Sequence, residues 1–169
     1  GIAETIRIEE GITDSDEFAF WLFDNVKTVC LPSSYVGYIP DMKKIEKYIV
    51  AENNPKYSSD ENGVLFNADQ TEIIRYPKGS PIEIYEIPEG VQYMFTEISN
   101  IHLDELVLPE SLIRASMISG MMTKVTFKSM DTYINEWPGA IAETAIIYGY
   151  EGSTAQDYAE KYNRTFVSM

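Results

Sequence analysis

Residues 106–112 read Leu106-Val107-Leu108-Pro109-Glu110-Ser111-Leu112, and the same chemistry stands at Ile87-Pro88-Glu89-Gly90-Val91 and Leu31-Pro32-Ser33-Ser34. In each case a strand pattern of apolar, any, apolar runs into a proline. Proline has no N–H for a strand ladder and holds the preceding residue extended, so each run is a short strand that stops at a corner. The pattern recurs as Ile6/Ile8, Val29/Leu31, Tyr48/Val50, Tyr85/Ile87, Leu106/Leu108, Val125/Phe127 and Ala145/Ile147. The second members lie 19–23 residues apart, with one gap of 37. Such a period marks a stack of similar coils, none of which can bury its apolar side alone. The spacing predicts that Ile8, Leu31, Val50, Ile87, Leu108, Phe127 and Ile147 face the core from successive strands of one parallel sheet.

Outward from the strands, Ala19, Phe20, Phe23 and Val26 supply apolar groups before Val29, and Ile39, Met42 and Ile45 do so before Tyr48. The long gap holds Val64-Leu65-Phe66 and Glu72-Ile73-Ile74-Arg75-Tyr76 around the turn-rich Asn67-Ala68-Asp69-Gln70-Thr71, which reads as a hairpin inserted between coils over residues 56–80. Residues 152–169 read as a cap. Ser153-Thr154-Ala155-Gln156 is a capping box, Ala155, Tyr158, Ala159 and Tyr162 share one helical face, Asn163 can stop the helix, and Phe166-Val167 make a last extended contact.

The chain of 169 residues is one domain by length. Its 27 acidic against 13 basic side chains give a net charge of −14, which argues against nucleic acid or an anionic membrane as partner. Hydrophobic residues at 44% are too many for a disordered chain, and no stretch is apolar enough to span a bilayer. One cysteine, Cys30, excludes an internal disulfide and a multi-cysteine zinc site, and one histidine, His102, excludes a His-pair metal site. No cofactor is implied. Gly1-Ile2-Ala3 reads as a processed or truncated start.

These residues resemble the BspA-like leucine-rich repeat family of bacterial surface and secreted proteins. The resemblance rests on the unit from Ala19-Phe20 to Leu31-Pro32, on Val50-Ala51-Glu52-Asn53-Asn54-Pro55 followed by Tyr57-Ser58-Ser59 and Gly63-Val64-Leu65-Phe66-Asn67, and on Tyr76-Pro77-Lys78-Gly79. It continues through Ile87 to Val91 and closes with residues 147–155 and Tyr158-Ala159. It implies a β-rich α+β solenoid over residues 1–169: right-handed coils of the leucine-rich repeat type with one parallel sheet, an inserted β-hairpin and a C-terminal capping helix. It also implies a non-catalytic adhesion or binding module, secreted or on the surface of a bacterium. The expected partner is a protein or glycan on a host or neighbouring cell surface, with no nucleic acid and no membrane insertion.

Chemistry-bearing residues are sparse. Strand alternation puts the Cys30 thiol opposite the core, coils away from the only imidazole, so neither it nor His102 reads as catalytic. Asp14-Ser15-Asp16-Glu17 and Asp60-Glu61-Asn62-Gly63 lack the spacing of an EF-hand loop. Seven acids with no base lie between Lys78 and Arg114: Glu83, Glu86, Glu89, Glu97, Asp104, Glu105 and Glu110. They read as a solubilising face. Asn163-Arg164-Thr165 matches a glycosylation acceptor by chance. The candidate binding face is the set of outward positions on the core strands: Arg7, Thr28, Cys30, Lys47, Ile49, Glu86, Glu105, Val107, Lys124, Thr126, Thr144 and Ile146. Two alternatives to a binding module stand beside it, a structural spacer and a parallel β-helix enzyme acting on polysaccharide.

Overall fold

The computed structural model describes residues 3–20 and 23–169; the chain start at Gly1 and Ile2 lies outside them. In chain order the strands are β1 (Thr5–Arg7), β2 (Thr28–Leu31), β3 (Lys47–Val50), β4 (Tyr57–Ser59), β5 (Leu65–Asn67), β6 (Glu72–Arg75) and β7 (Ile84–Glu86). They continue as β8 (Tyr93–Asn100), β9 (Glu105–Leu108), β10 (Arg114–Gly120), β11 (Lys124–Phe127), β12 (Tyr133–Ile134), β13 (Ile146–Gly149) and β14 (Phe166–Ser168). A 3-10 helix covers Glu17–Phe20, and one α-helix, α1, covers Thr154–Lys161. No helix among the described residues is long and apolar enough to cross a membrane.

The chain is a parallel-stranded β-solenoid ended by a helix. The strands that carry the Pro-ended repeat do stack in parallel, but as two sheets: β1-β2-β3, and β7-β9-β11-β13-β14. A second wall, which the Pro-ended pattern does not predict, is a six-stranded sheet ordered β12-β10-β8-β6-β5-β4. Each coil from β6 onward therefore alternates between walls, and the core lies between them. Tyr85, Leu106 and Val125 form one inward row, and Leu108 and Phe127 stand side by side in the next. Ile8 and Ile87 extend their strands by one residue, through N–H bonds to the carbonyls of Cys30 and Val107. Leu31, Ile87, Leu108, Phe127 and Ile147 are buried, and Ile8 and Val50 half-buried. Ile147 is displaced from its expected row. It pairs with Val125, so Gly149 occupies the position that follows Phe127 and Ala145 precedes the strand. Ala19 and Phe23 are exposed, leaving Phe20 and Val26 to fill the core of the second coil.

The break between the two Pro-ended sheets is made by the insertion. β5 and β6 form the expected hairpin, with β4 as a third antiparallel strand. β5 is a partition buried on both sides. Leu65 packs into an N-terminal core with Val29, Leu31 and Tyr48, while Val64 and Phe66 pack into the larger core that runs to the helix. Beyond the strand ladders, polar side chains stitch coil to coil. The corner carbonyls of Pro32, Pro88 and Pro109 each accept the N–H three residues on. At Gly11 and Gly90 the chain takes a positive φ of 93° and 99°, the left-handed region glycine tolerates. Their N–H groups donate to the hydroxyls of Ser34 and Ser111, each one coil further on.

Asn54 and Asn100 do the same work in the interior. Asn54 Nδ2 donates to the carbonyls of Pro32 and Tyr35 at 2.8 and 2.7 Å. Asn100 Nδ2 donates to those of Pro77 and Ser80 at 3.2 and 2.9 Å. At the C-terminus the Ser153 hydroxyl accepts the Gln156 N–H, and Gln156 Oε1 accepts the N–H of Gly152. Asn163 turns the chain at a φ of 53°. Arg164, in the chance glycosylation match, donates to the carbonyls of Ile141, Ala142 and Ala145 and ties β14 to the last coil.

Candidate binding face

The outward residues of the Pro-ended strands do not make one surface. Thr28, Cys30, Lys47 and Ile49 belong to the three-stranded sheet, and Glu86, Glu105, Val107, Lys124, Thr126 and Ile146 to the five-stranded one. Lys47, Ile49, Glu86, Thr144 and Ile146 are exposed, and Thr28, Glu105, Val107 and Lys124 half-buried. Cys30, paired with exposed Arg7 and Ile49 on either side, is only 7% exposed, and Thr126 only 8%. Thr144 precedes β13, its hydroxyl donating to the Met122 carbonyl.

The charges on this side are largely paired. Lys124 meets Glu105 at 3.1 Å and lies over the Tyr148 ring, and Lys128 meets Glu86. Two members of the acidic run thus find their bases in later coils, and two more reach the next coil by hydrogen bonds. Glu97 accepts the Ser119 hydroxyl, and Glu89 the N–H of Glu110. Asp60 is a structural anchor: one oxygen accepts the Val64 N–H and the other the buried Tyr85 hydroxyl at 2.8 Å. Burial, with the Asp60 charge beside it, pushes the Tyr85 phenol well above its usual range. Asp14 and Asp16 likewise accept backbone N–H groups. Among the described residues no three His, Cys, Asp or Glu side chains are grouped to hold a metal.

The six-stranded sheet presents a different surface. Ile73, Met94, Ala115 and Ile134 point inward, so their neighbours Glu72, Tyr93, Arg114 and Tyr133 point outward, in register across four parallel strands. With strands about 4.8 Å apart the row spans roughly 14 Å. Two residues beyond Tyr93 stands Phe95, its ring stacked on Tyr93 with centroids 5.5 Å apart and planes at 9°. The Arg114 guanidinium lies 5.7 Å from the Phe95 centroid and 4.8 Å from that of Tyr133. Phe95 is 54% exposed and Tyr133 45%. Among the described residues the guanidinium N–H groups of Arg114 meet no carboxylate and no other acceptor, while its backbone N–H donates to the Gln92 carbonyl. The guanidinium is flanked by two rings and Arg114 is exposed, which places its five donors in a water-accessible setting.

Tyr133 also forms a wall of a cleft of about 200 Å³ between β12 and α1. Thr132, Glu136, Asp157, Lys161 and Tyr162 are among the other residues that line it. Lys161 is held by Glu136 at 3.0 Å and lies over the Tyr162 ring, which packs 4.8 Å from that of Tyr158. The cleft is smaller than the roughly 300–1,000 Å³ of drug-sized sites and accommodates one ring-sized group.

Reading the sequence for Pro-ended strands missed this face. A signal was present: Ile73, Met94, Ala115 and Ile134 keep a period of roughly twenty residues, as the first wall does. A bulge between Ala115 and Met117 breaks the alternation that would have exposed it.

No family model and no curated protein sequence matches the chain. Among solved structures it is similar to the pneumococcal vaccine antigen PcpA, at 16% identity and a TM-score of 0.41, over 86% of this chain and 56% of that one. It is also similar to a leucine-rich repeat protein from Eubacterium ventriosum ATCC 27560, at 15% identity and a TM-score of 0.49, over 98% of this chain and 54% of that one. A leucine-rich cell surface protein from Faecalibacterium prausnitzii A2-165 gives 14% identity and a TM-score of 0.49, over 98% of this chain and 59% of that one. The chain thus spans little more than half the length of each.

Proposed function

We propose that the chain is a non-catalytic binding module of a bacterial secreted or cell-surface protein, of the BspA-like kind its sequence resembles, and that it binds through the outer side of its six-stranded sheet. One observation carries this reading: the outward row of half-buried Tyr93 and exposed Phe95, Arg114 and Tyr133, in which a guanidinium with no acceptor among the described residues is held between aromatic rings. Exposed aromatic groups and arginine dominate binding energy at recognition surfaces, because they bring large area and directed donors at little cost in conformational freedom. Side chains on a strand-built wall are held more firmly than on loops, so the row is organised before any partner arrives.

The test is binding of the purified chain, immobilised through its C-terminus, to a panel of glycans and extracellular matrix proteins, beside the Phe95→Ala/Tyr133→Ala variant. The module reading expects at least one panel member to bind the wild-type chain and to lose most of its affinity for the variant. Full binding by the variant would move the site elsewhere, and no binding at all would favour a spacer. Turnover of a glycan in the same panel would replace the reading with the enzyme alternative.

A further inference from the structure

We infer that the row recognises a carboxylate-bearing sugar, with a pyranose ring stacked on the aromatic side chains and its carboxylate held by Arg114; this rests on the binding reading above. Charge and shape together point to it. Among the described residues the exposed Arg114 guanidinium has no carboxylate partner, and a planar fork of donors matches a carboxylate bidentately. An aromatic face is electron-rich, so it packs against the polarised C–H face of a sugar ring, and Phe95 and Tyr133 offer such rings on both sides of the guanidinium. The cleft beyond Tyr133 has room for one further ring, which suits a short chain of sugars laid across the strands.

An acidic peptide fits less well. Extended peptides dock by pairing with an open strand edge. The row instead crosses β8 and β10, which are paired on both sides, and its one edge strand, β12, faces α1 across the cleft. A stable protein interface also needs about 800 Å² from each partner, far more than a row of three rings and a guanidinium supplies. The protein's charge of −14 repels any anion at a distance. That repulsion is screened over about 8 Å at physiological salt, leaving the direct contact at Arg114 to decide affinity.

The experiment is calorimetric titration of the full chain with a short oligogalacturonate and a hyaluronan oligosaccharide, each compared with its carboxyl methyl ester, which keeps the rings and removes the charge. A polyglutamate peptide of similar charge is the third arm. At least one acid form should bind roughly tenfold or more tightly than its ester, the scale of a charge-assisted hydrogen bond. Arg114→Gln should abolish the difference between acid and ester. Phe95→Ala and Tyr133→Ala should weaken both forms. All three side chains are exposed, so an unchanged unfolding temperature will confirm that the variants fold. Equal binding of acid and ester, a preference that survives Arg114→Gln, or failure of both acids to bind would overturn the inference. If both acids fail while polyglutamate or a matrix protein binds in a Phe95- and Tyr133-dependent way, the carboxylate-sugar assignment falls and the binding face stands. If nothing binds through the row, both fall.

Discussion

Replacing Asn100 with alanine should be among the most damaging single changes available in this fold, although the residue takes no part in the apolar core. Its side chain is 2% exposed and uses both ends. Nδ2 donates to the carbonyls of Ser80 and Pro77, and Oδ1 accepts the His102 N–H at 2.6 Å. The three partners are not equally dependent on it. Pro77 O also accepts the Ser80 N–H, and His102 is exposed, so water can reach its N–H. Ser80 is 1% exposed, and its carbonyl is left buried without a donor. Orphaning that group costs about 1–3 kcal/mol and the lost bonds about 1 kcal/mol more, so the change should destabilise by about 3 kcal/mol. In a chain of this length that corresponds to a fall in Tm of about 6–12 °C.

Urea unfolding followed by circular dichroism measures it. Asn100→Asp should be worse than alanine at neutral pH, because an ionised carboxylate would confront two carbonyls. It should recover as the pH falls and the carboxyl takes up a proton, which turns one oxygen into a donor. A loss below about 1 kcal/mol for Asn100→Ala, or no pH dependence for the aspartate, would mean that these amides do not stitch the coils.

Truncation before Gly152 should uncover the last coil and release the buried face of Ala155, Tyr158 and Ala159, giving aggregation or a lower melting temperature; unchanged solubility and Tm would make the helix an appendage. Leu65→Ala and Phe66→Ala should each cost about 2–5 kcal/mol in chemical denaturation, since each empties a different core across the same strand. Burial pushes the Tyr76 phenol up to about 12 and those of Tyr48 and Tyr85 higher. Below a pH of about 10 folded and unfolded chains hold these protons alike; above it the unfolded chain releases them first, so stability should fall as pH rises. Unfolding at stepped alkaline pH, with Tyr85→Phe flattening part of the slope, checks the sign. Arg164→Ala should unpin the tail, seen as fast amide exchange in Phe166–Ser168 while the other strands stay protected.

The period of the coils, the strand at each Leu-Pro or Ile-Pro step, the hairpin and the capping helix were all legible in the chain. They are local or nearly local. Proline ends a strand wherever it stands, a capping box needs four residues, and inward alternation needs only apolar groups two apart. Features that arise where distant coils meet were not legible. The division of the first wall into two sheets depends on β5 being buried on both faces, a property of the elements that lie on either side of Leu65 and Phe66. The offset of Ile147 to the row of Val125 was decided by ladder register, which a spacing of about twenty residues leaves free by two. The bases of the acidic run, Lys124 and Lys128, stand in coils that stacking alone brings beside Glu105 and Glu86.

Local chemistry along the chain was enough to specify a stack of short coils with apolar strands facing inward, because proline, periodicity and capping act through the backbone nearest to them. The surface on which chemistry gathers was set by packing between coils. Tyr93, Phe95, Arg114 and Tyr133 come from three coils, and each alone is an ordinary exposed or half-buried side chain. They form a row because parallel strands about 4.8 Å apart set residues one coil apart in sequence side by side, and a guanidinium between two rings exists only once those strands are paired.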